Sequence, residues 1–462
     1  MIIASGGHDV NIGQPLFMDL RRFIPGFVQS HLAGRTVVQR VLGNSGWMFA
    51  DQLWRMFLSL AVGVWVARYL GPSQFGQLSY ALAFVALASP LAGLGLSGLL
   101  VRDFVRDRGA AGEMLGTAAM LKGAAGLCVL VGCVASAWVL DRAGSQSLWL
   151  VMAVASGPFF QGLDSLDAWL QAEDRYLDSS VAKTAAATIV AVTKVGLVLA
   201  HAPLLAFAVT GVLEAALCGL GWWVAWRRGA AGTSRWRWST VRARAWLGEA
   251  WPLIVSGVAI QVQAQADQVL IGRLLPAEEL GQYSAAIRLV AALAFVPMVL
   301  QAAAAPEIAR AKVEGAAPYR LRLHRLYRAM MLGTVVLVAP LVLFPHLIVR
   351  LLLGRQFGGA AVLLPVLAFR LVLTGFGVAR SLFIANEGLF RFSMISSVAG
   401  AGVSVALNFW LIPRWGLWGA IAASFVSLTI TTFVVDAIVP STRGNCRLML
   451  RALVMPWRSL QR

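Results

Sequence analysis

The chain has 462 residues, of which 59% are hydrophobic and 13% are charged, and its mean hydropathy is +0.73. A soluble globular protein carries about 25% charged residues, so too few charges remain here to cover a water-exposed surface. The formal net charge of +18 would suggest nucleic-acid binding in a soluble protein. Here the basic residues cluster in short segments between apolar runs, as the positive-inside rule describes, and no nucleic-acid partner is expected. The composition therefore predicts an all-α polytopic membrane protein in contact with membrane lipids.

About twelve apolar runs follow along the chain, each near the roughly 20 residues that a membrane-spanning helix needs. The runs are 42–68, 75–100, 114–140, 147–171, 178–201, 203–226, 248–273, 279–304, 328–353, 358–384, 390–412 and 416–438. Every second connection between the runs is rich in arginine, as in 227–244 and 310–328. The connections between them carry only isolated charges. This asymmetry predicts a multi-pass protein of the bacterial inner membrane with both termini in the cytoplasm.

Neither the cysteines nor the histidines form a recognisable site. The four cysteines are scattered, the five histidines do not cluster, and neither a disulfide framework nor a metal site follows. Paired carboxylates, a nucleophile triad or a phosphate-binding loop are also missing from the predicted loops. We therefore expect no cofactor, no metal and no enzymatic activity.

An internal repeat relates the two halves of the chain. Residues 68–79 read RYLGPSQFGQLS, and residues 273–284, six helices later, read RLLPAEELGQYS. Because six is an even number, both halves face the same way in the membrane, which is a parallel repeat with a central cleft between two six-helix lobes. The predicted domains are a cytoplasmic segment (1–41), the N-lobe (42–228), a basic amphipathic linker (229–246), the C-lobe (247–438) and a basic cytoplasmic tail (439–462).

Three motifs resemble those of a known family. The segment 66–81, the segments 267–273 and 281–288, and the block 408–420 are similar to the motifs of Wzx-type polysaccharide flippases. The resemblance extends over 45–430 and implies membership of the multidrug/oligosaccharidyl-lipid/polysaccharide (MOP/MATE) exporter superfamily. It implies a substrate, undecaprenyl-pyrophosphate-linked oligosaccharide, which such flippases move across the inner membrane for synthesis of O-antigen, capsule or exopolysaccharide. A polysaccharide polymerase and chain-length machinery are the further partners that it suggests.

Charged side chains inside the predicted spans are the candidate site residues, since ionisable groups at membrane depth tend to mark transport pathways. A cationic cleft would suit a lipid pyrophosphate, because arginine and lysine bind its oxygen atoms. The cations expected to line this cleft are Arg55, Lys122, Lys194, Arg288, Arg370 and Arg380. The candidates for ion coupling or charge balance are Asp51, Asp164 and Asp267. Asp51 and Arg55 are one helical turn apart and could equally pair with each other.

Four alternatives stay open at this point. One is a lipid II flippase, although the resemblance to that group implies fourteen helices rather than twelve. A proton- or sodium-coupled multidrug antiporter of the same superfamily would use an acidic cavity, which the excess of intramembrane cations disfavours. A membrane-embedded polysaccharide polymerase or ligase usually has a large external loop, whereas every predicted external loop here is short. A scaffold that organises biosynthetic enzymes is compatible with the sequence.

Overall fold

A computed structural model describes residues 36–140, 146–229 and 236–454 of the chain. It divides the chain into two units, residues 1–50 and 51–462. Of the first unit only a helical backbone from Thr36 is described, so most of the predicted cytoplasmic segment 1–41 lies outside the described residues. All contacts reported below belong to the second unit.

The described residues form helices and contain no strand. The α-helices are α1 (Thr36–Gly93), α2 (Ser97–Arg106), α3 (Ala111–Leu140), α4 (Gln146–Ala155), α5 (Asp164–Ala172), α6 (Tyr176–Leu199), α7 (Leu204–Gly229), α8 (Thr240–Leu274), α9 (Ala277–Ala291), α10 (Phe295–Glu314), α11 (Ala316–Leu343), α12 (Pro345–Leu352), α13 (Gly358–Glu387), α14 (Phe390–Thr429), α15 (Val435–Ile438) and α16 (Arg443–Val454). A 3-10 segment, Gly157–Leu163, joins α4 to α5, and a π-helical turn, Ile430–Val434, joins α14 to α15.

The predicted spans match these helices closely. Nine segments of the described residues are long and apolar enough to cross a membrane. Two of them contain a kink at a glycine with positive φ, at Gly71 in α1 and at Gly416 in α14, and each therefore holds two predicted spans. The broken stretch α4–α5 supplies one more, so the described residues contain the twelve predicted spans of an all-α polytopic membrane protein. Glycine suits both kinks because positive φ strains other residues.

The helices of each half pack mainly among themselves. Helices α3 to α7 contact one another, α8 contacts α14, and α9 to α13 form a continuous group. The bounds of the two lobes stay predictions, and the segments 141–145 and 230–235 lie outside the described residues.

The repeated motif brings the two halves together at one end of the helices, which we call the hairpin end (residues 68–76, 274–282 and 353–360). A Cβ atom on Gly76 would come within 1.8 Å of the carbonyl oxygen of Ala277, and one on Gly281 within 1.9 Å of that of Pro72. Both pairs have the same spacing in the repeat, since Gly281 follows Gly76, and Ala277 follows Pro72, by 205 residues. The contact is thus reciprocal, and glycine is required on both sides because the backbones touch.

Further contacts close the hairpin end. Gln356 donates a hydrogen bond to the carbonyl of Arg68 at 2.6 Å and accepts one on its own carbonyl from Gln282 at 2.9 Å. The rings of Phe75 and Phe357, both buried, pack edge to face. Residues from both halves therefore seal this end of the protein.

The opposite end carries the described part of the predicted linker, which binds to the first half. The backbone NH of Ser239 donates to the Thr117 hydroxyl at 3.0 Å, and Arg242 pairs with Glu113 at 3.1 Å. Trp246, buried, donates to Asp103 at 2.8 Å. The start of α8 is thereby fixed to α2 and α3, while the rest of α8 packs against α14 of the second half.

Candidate functional site: a cationic cavity in the first half

A cavity of about 310 Å³ lies between α1, α6 and α7. Its lining combines polar and apolar side chains, and it contains two of the predicted cations, Arg55 and Lys194, and one carboxylate, Glu214. The remaining lining residues are Gln52, Met56, Leu58, Ser59, Val62, Gly63, Ala187, Val190 and Ala191.

Arg55 is held by its own helix. Its guanidinium pairs with Asp51 at 3.0 Å, one turn earlier, and donates to the Gln52 amide oxygen at 3.0 Å. Asp51 is buried and accepts a second hydrogen bond from the Thr184 hydroxyl of α6. The alternative that Asp51 and Arg55 pair with each other is therefore observed, and the pair fixes the guanidinium at the cavity wall, where its side chain is still 31% exposed.

Lys194, further along α6, has no ion-pair partner among the described residues. Its electrostatic neighbours are Arg288 and Glu214, yet within the described part of the chain no carboxylate approaches its amine within 4 Å. A partly buried ammonium without an ion pair is costly, and an anion that entered the cavity would relieve that cost.

Arg288 reaches this region from α9, which belongs to the second half. A Cβ atom on Gly63, a residue of the cavity wall, would lie 2.6 Å from Nη2 of Arg288. The guanidinium therefore rests in the space that the missing side chain leaves, and it also lies 5.9 Å from the centre of the Phe75 ring. Arg288 has no ion pair among the described residues, so the three cations Arg55, Lys194 and Arg288 converge on one place.

The other three predicted cations do not line this cavity. Lys122 is fully enclosed in the first half, where its electrostatic neighbours are Asp164 and Asp167. Arg370 pairs with the buried Asp267 at 3.0 Å.

Arg380 pairs with the buried Asp436 at 2.6 Å. The three residues Asp436, Asn445 and Tyr327 continue this network to α16 and α11, since Asn445 donates to Asp436 at 3.4 Å and the Tyr327 hydroxyl donates to Asn445 at 2.7 Å. The guanidinium therefore lies within a network that joins α13, α15, α16 and α11.

Asp267, a predicted candidate for ion coupling or charge balance, is buried in the second half. It accepts hydrogen bonds from the Tyr283 hydroxyl at 2.6 Å and from the backbone NH of Gln268 at 2.8 Å, in addition to the pair with Arg370. These three bonds satisfy the carboxylate and join α8, α9 and α13.

Two residues of the cavity, Glu214 and Gly63, were not predicted from the sequence. Glu214 stands alone in the apolar run of α7, and an isolated carboxylate at membrane depth was a signal that could have identified it. Gly63 gives no such signal, because its role depends on a guanidinium that comes from a helix more than 200 residues later.

A second large recess has the opposite chemistry. It has a volume of about 860 Å³ and lies between α8, the first part of α14 and Leu91 of α1. All of its lining residues are apolar or glycine: Leu91, Ile254, Val255, Val258, Ala259, Val262, Val398, Ala401, Gly402, Val405, Ala406 and Phe409. We call it the apolar groove.

The chain is similar in fold to solved transporters of the MOP superfamily. It superimposes on an inward-facing multidrug resistance MATE family transporter with a TM-score of 0.64 at 16% identity, over 87% of this chain and 96% of that one. The lipid II flippase MurJ in an inward closed conformation gives a TM-score of 0.68 at 11% identity, over 89% and 91% of the two chains. A MOP superfamily transporter from Pyrococcus furiosus, described as having a binding pocket of reversed polarity, gives 0.55 at 14% identity, over 91% and 99%.

These identities show the fold and no more. None of the curated proteins matches the sequence significantly. A family model described as polysaccharide biosynthesis protein matches residues 41–312, which is more than half of the chain. The chain is therefore a member of the polysaccharide biosynthesis protein family, with the fold of MOP superfamily transporters.

Proposed function

We propose that the protein flips an undecaprenyl-pyrophosphate-linked oligosaccharide from the cytoplasmic to the periplasmic leaflet of the bacterial inner membrane, for synthesis of a surface polysaccharide. The family and the transporter fold support a role in moving a polysaccharide precursor across the membrane. The two halves would alternate between conformations open to either side. In this proposal the hairpin end is periplasmic and both termini are cytoplasmic.

The observation that carries the proposal is the convergence of Arg55, Lys194 and Arg288 on one cavity. A pyrophosphate concentrates negative charge on a few oxygen atoms, and guanidinium groups bind such oxygen atoms through two parallel hydrogen bonds. Among the described residues, Lys194 and Arg288 have no ion pair to break before they bind an anion. The cavity would therefore shield the charged headgroup while the prenyl chain remains in lipid.

The seal at the hairpin end supports a cycle that begins from the cytoplasm. With Gly76 against Ala277 and Gly281 against Pro72, the two halves leave no space between their backbones at that end. Because Arg288 comes from the second half and Lys194 from the first, a bound headgroup would connect the halves. Rearrangement around this connection would open the hairpin end to the periplasm.

The test is a flipping assay in proteoliposomes. Purified protein is reconstituted with a fluorescent undecaprenyl-pyrophosphate oligosaccharide, and the appearance of the label on the other leaflet is followed by a membrane-impermeant quencher. We expect translocation by the unmodified protein and its loss in Lys194→Gln. The matched control is Arg350→Gln, which neutralises an exposed cation of α12 outside the cavity and should translocate at the unmodified rate.

Two results would contradict the proposal. Full translocation by Lys194→Gln and by Arg288→Gln would show that the cationic cavity does not bind the headgroup. No translocation by the unmodified protein, together with proton- or sodium-driven export of organic cations, would assign the protein to the multidrug antiporters instead.

A further inference from the structure

The most unusual charged group outside the cavity is Lys122 on α3. Its side chain has no exposed surface, and its amine has no hydrogen-bond partner among the described residues. The charged groups nearest to it are Asp164 and Asp167, but neither lies within ion-pair distance of 4 Å in the described structure. An ammonium buried in this way loses its hydration without gaining an ion pair.

Of the two carboxylates, Asp167 already has an ion pair and hydrogen-bond donors. It pairs with Lys183 at 2.8 Å and accepts hydrogen bonds from Gln171 at 2.9 Å and from the Ser179 hydroxyl. Asp164 accepts no hydrogen bond from any described residue. Lys122 and Asp164 thus remain as one cation and one carboxylate that interact electrostatically without an ion pair in the described structure, beside the completed pair of Asp167 and Lys183.

The backbone next to Lys122 is broken. The 3-10 segment Gly157–Leu163 interrupts the fourth predicted span, and Asp164 is the first residue after it. Glycines let this segment touch α3, since a Cβ atom on Gly126 would lie 2.5 Å from the Pro158 carbonyl oxygen and one on Gly162 2.8 Å from that of Ala119. Broken helices at membrane depth are typical of ion-coupling sites in transporters, because they can change their local geometry.

We propose that Lys122 and Asp164 form a proton-binding site that couples the movement of the two halves to the proton gradient. In the described conformation no carboxylate lies within ion-pair distance of Lys122, and we assign this state to proton release. When the broken segment shifts and brings Asp164 into ion-pair range, the amine takes up a proton and the pair is neutral overall. Each cycle would then bind a proton in one conformation and release it in the other, which is the requirement for coupled transport.

The other charged or titratable groups around this site have partners of their own or lie on neighbouring helices. Lys183 on α6 belongs to the Asp167 pair, and Cys218 on α7 is an electrostatic neighbour of Asp164. On α2, which also packs against α5, Asp103 is bonded to Arg102 and Trp246. The inference names the driving ion for the flippase proposed above and rests on that function only for its first test.

The first test measures flipping with and without an inward proton gradient. We expect the gradient to accelerate flipping by the unmodified protein and, for one proton moved per cycle, to shift the ratio of label between the leaflets by up to roughly tenfold per pH unit. Lys122→Met and Asp164→Asn should flip at a rate that the gradient does not change, whereas the control Lys312→Met, an exposed lysine paired with Glu387, should respond fully. A sodium gradient should have no effect on any of them. Full acceleration of both variants by a proton gradient would overturn the inference, as would a response to sodium alone.

A second test does not depend on the substrate. Ser79→Cys, in a background without the four native cysteines, places a thiol at a buried position near the seal of the hairpin end. We measure the rate at which a water-soluble maleimide modifies this thiol, and a free cysteine corrects for the intrinsic pH dependence of the reaction. The corrected rate should change with pH in the parent variant. It should not change with pH when Lys122→Met is added. Lys122→Met should also melt no lower than its parent, because methionine removes an unpaired buried charge. A pH response that persists with Lys122→Met contradicts the proton site even if no lipid-linked sugar is ever flipped.

Discussion

The cationic cavity and the apolar groove occupy related places in the two halves, but their chemistry is opposite. The cavity lies between the first part of α1 and α6, and the groove between α8 and the first part of α14. In the six-helix repeat these are corresponding pairs of helices. By the 205-residue spacing of the repeated motif, Arg55 corresponds to Ile260 and Asp51 to Ser256.

This difference shows which contacts the repeat retains and which it does not. At the hairpin end both copies keep the glycine that lets the backbones touch, because the seal needs the same close approach from each side. Of the two recesses, the one in the first half carries charged groups and the one in the second half is apolar. We infer that the first half contacts the headgroup, with Arg288 as the contribution of the second half.

The largest expected effect comes from removing the charges that make the cavity different from the groove. The double variant Lys194→Met/Arg288→Met should lower the rate of flipping roughly 1000-fold, about 4 kcal/mol, because buried charge contacts are each worth a few kcal/mol. Flipping rates in proteoliposomes would measure the loss, and circular dichroism would verify that the helices remain. A rate within threefold of the unmodified protein would mean that the charge difference has no role in transport.

The same carboxylate placed in both regions should have opposite effects. Val258→Glu introduces it into the apolar groove, where no described side chain can pair with it, and should cost about 3 kcal/mol of stability. Ser59→Glu introduces it into the cavity beside Arg55 and Lys194 and should leave the thermal midpoint unchanged or raise it. Thermal unfolding in detergent would compare the two variants. Equal destabilisation would show that the regions do not differ in polarity as their lining indicates.

The sequence predicted the helices well because each has a continuous apolar run of membrane-spanning length. It also identified the repeated motif, whose two copies meet at the hairpin end. Most of the interior charges that matter here were found, Glu214 excepted, since a charge in an apolar run stands out, but the sequence could not predict their partners. Arg370 and Arg380 look like Lys194 along the chain, yet they face Asp267 and Asp436, which are about 103 and 56 residues away.

The contacts that the sequence did not predict share one physical cause. A pair such as Arg380 and Asp436 forms between helices, and no periodicity in either helix reveals which face will meet the other. Only pairs on one helix, such as Asp51 and Arg55, follow from spacing alone. For the same reason the sequence did not reveal that Gly63 leaves space for Arg288.

A smaller effect is expected at the seal, where the halves are alike. Gly76→Ala and Gly281→Ala each force a methyl group into a backbone carbonyl of the other half, and each should weaken the closed hairpin end by about 2 kcal/mol. Cysteines placed at this end should then be labelled faster by a water-soluble maleimide. The control Gly211→Ala, whose added methyl group would meet nothing within 4 Å, should leave labelling unchanged. If only one of the two variants opens the seal, the reciprocal contact is not equivalent from its two sides.

The smallest expected effect comes from a variant that disturbs the contact between the halves but keeps all three cations of the cavity. Gly63→Ala keeps Arg55, Lys194 and Arg288 but puts a methyl group 2.6 Å from Nη2 of Arg288, so the guanidinium must move away from the cavity wall. Because a long side chain can adjust, we expect about a tenfold loss in flipping, near 1.4 kcal/mol, with unchanged stability. The double variant Gly63→Ala/Arg288→Met should then lose no more than Arg288→Met alone, since the methyl group acts only through the guanidinium. Additive losses would mean that Gly63 serves the cavity in another way, and that the second half does not supply its cation through this contact.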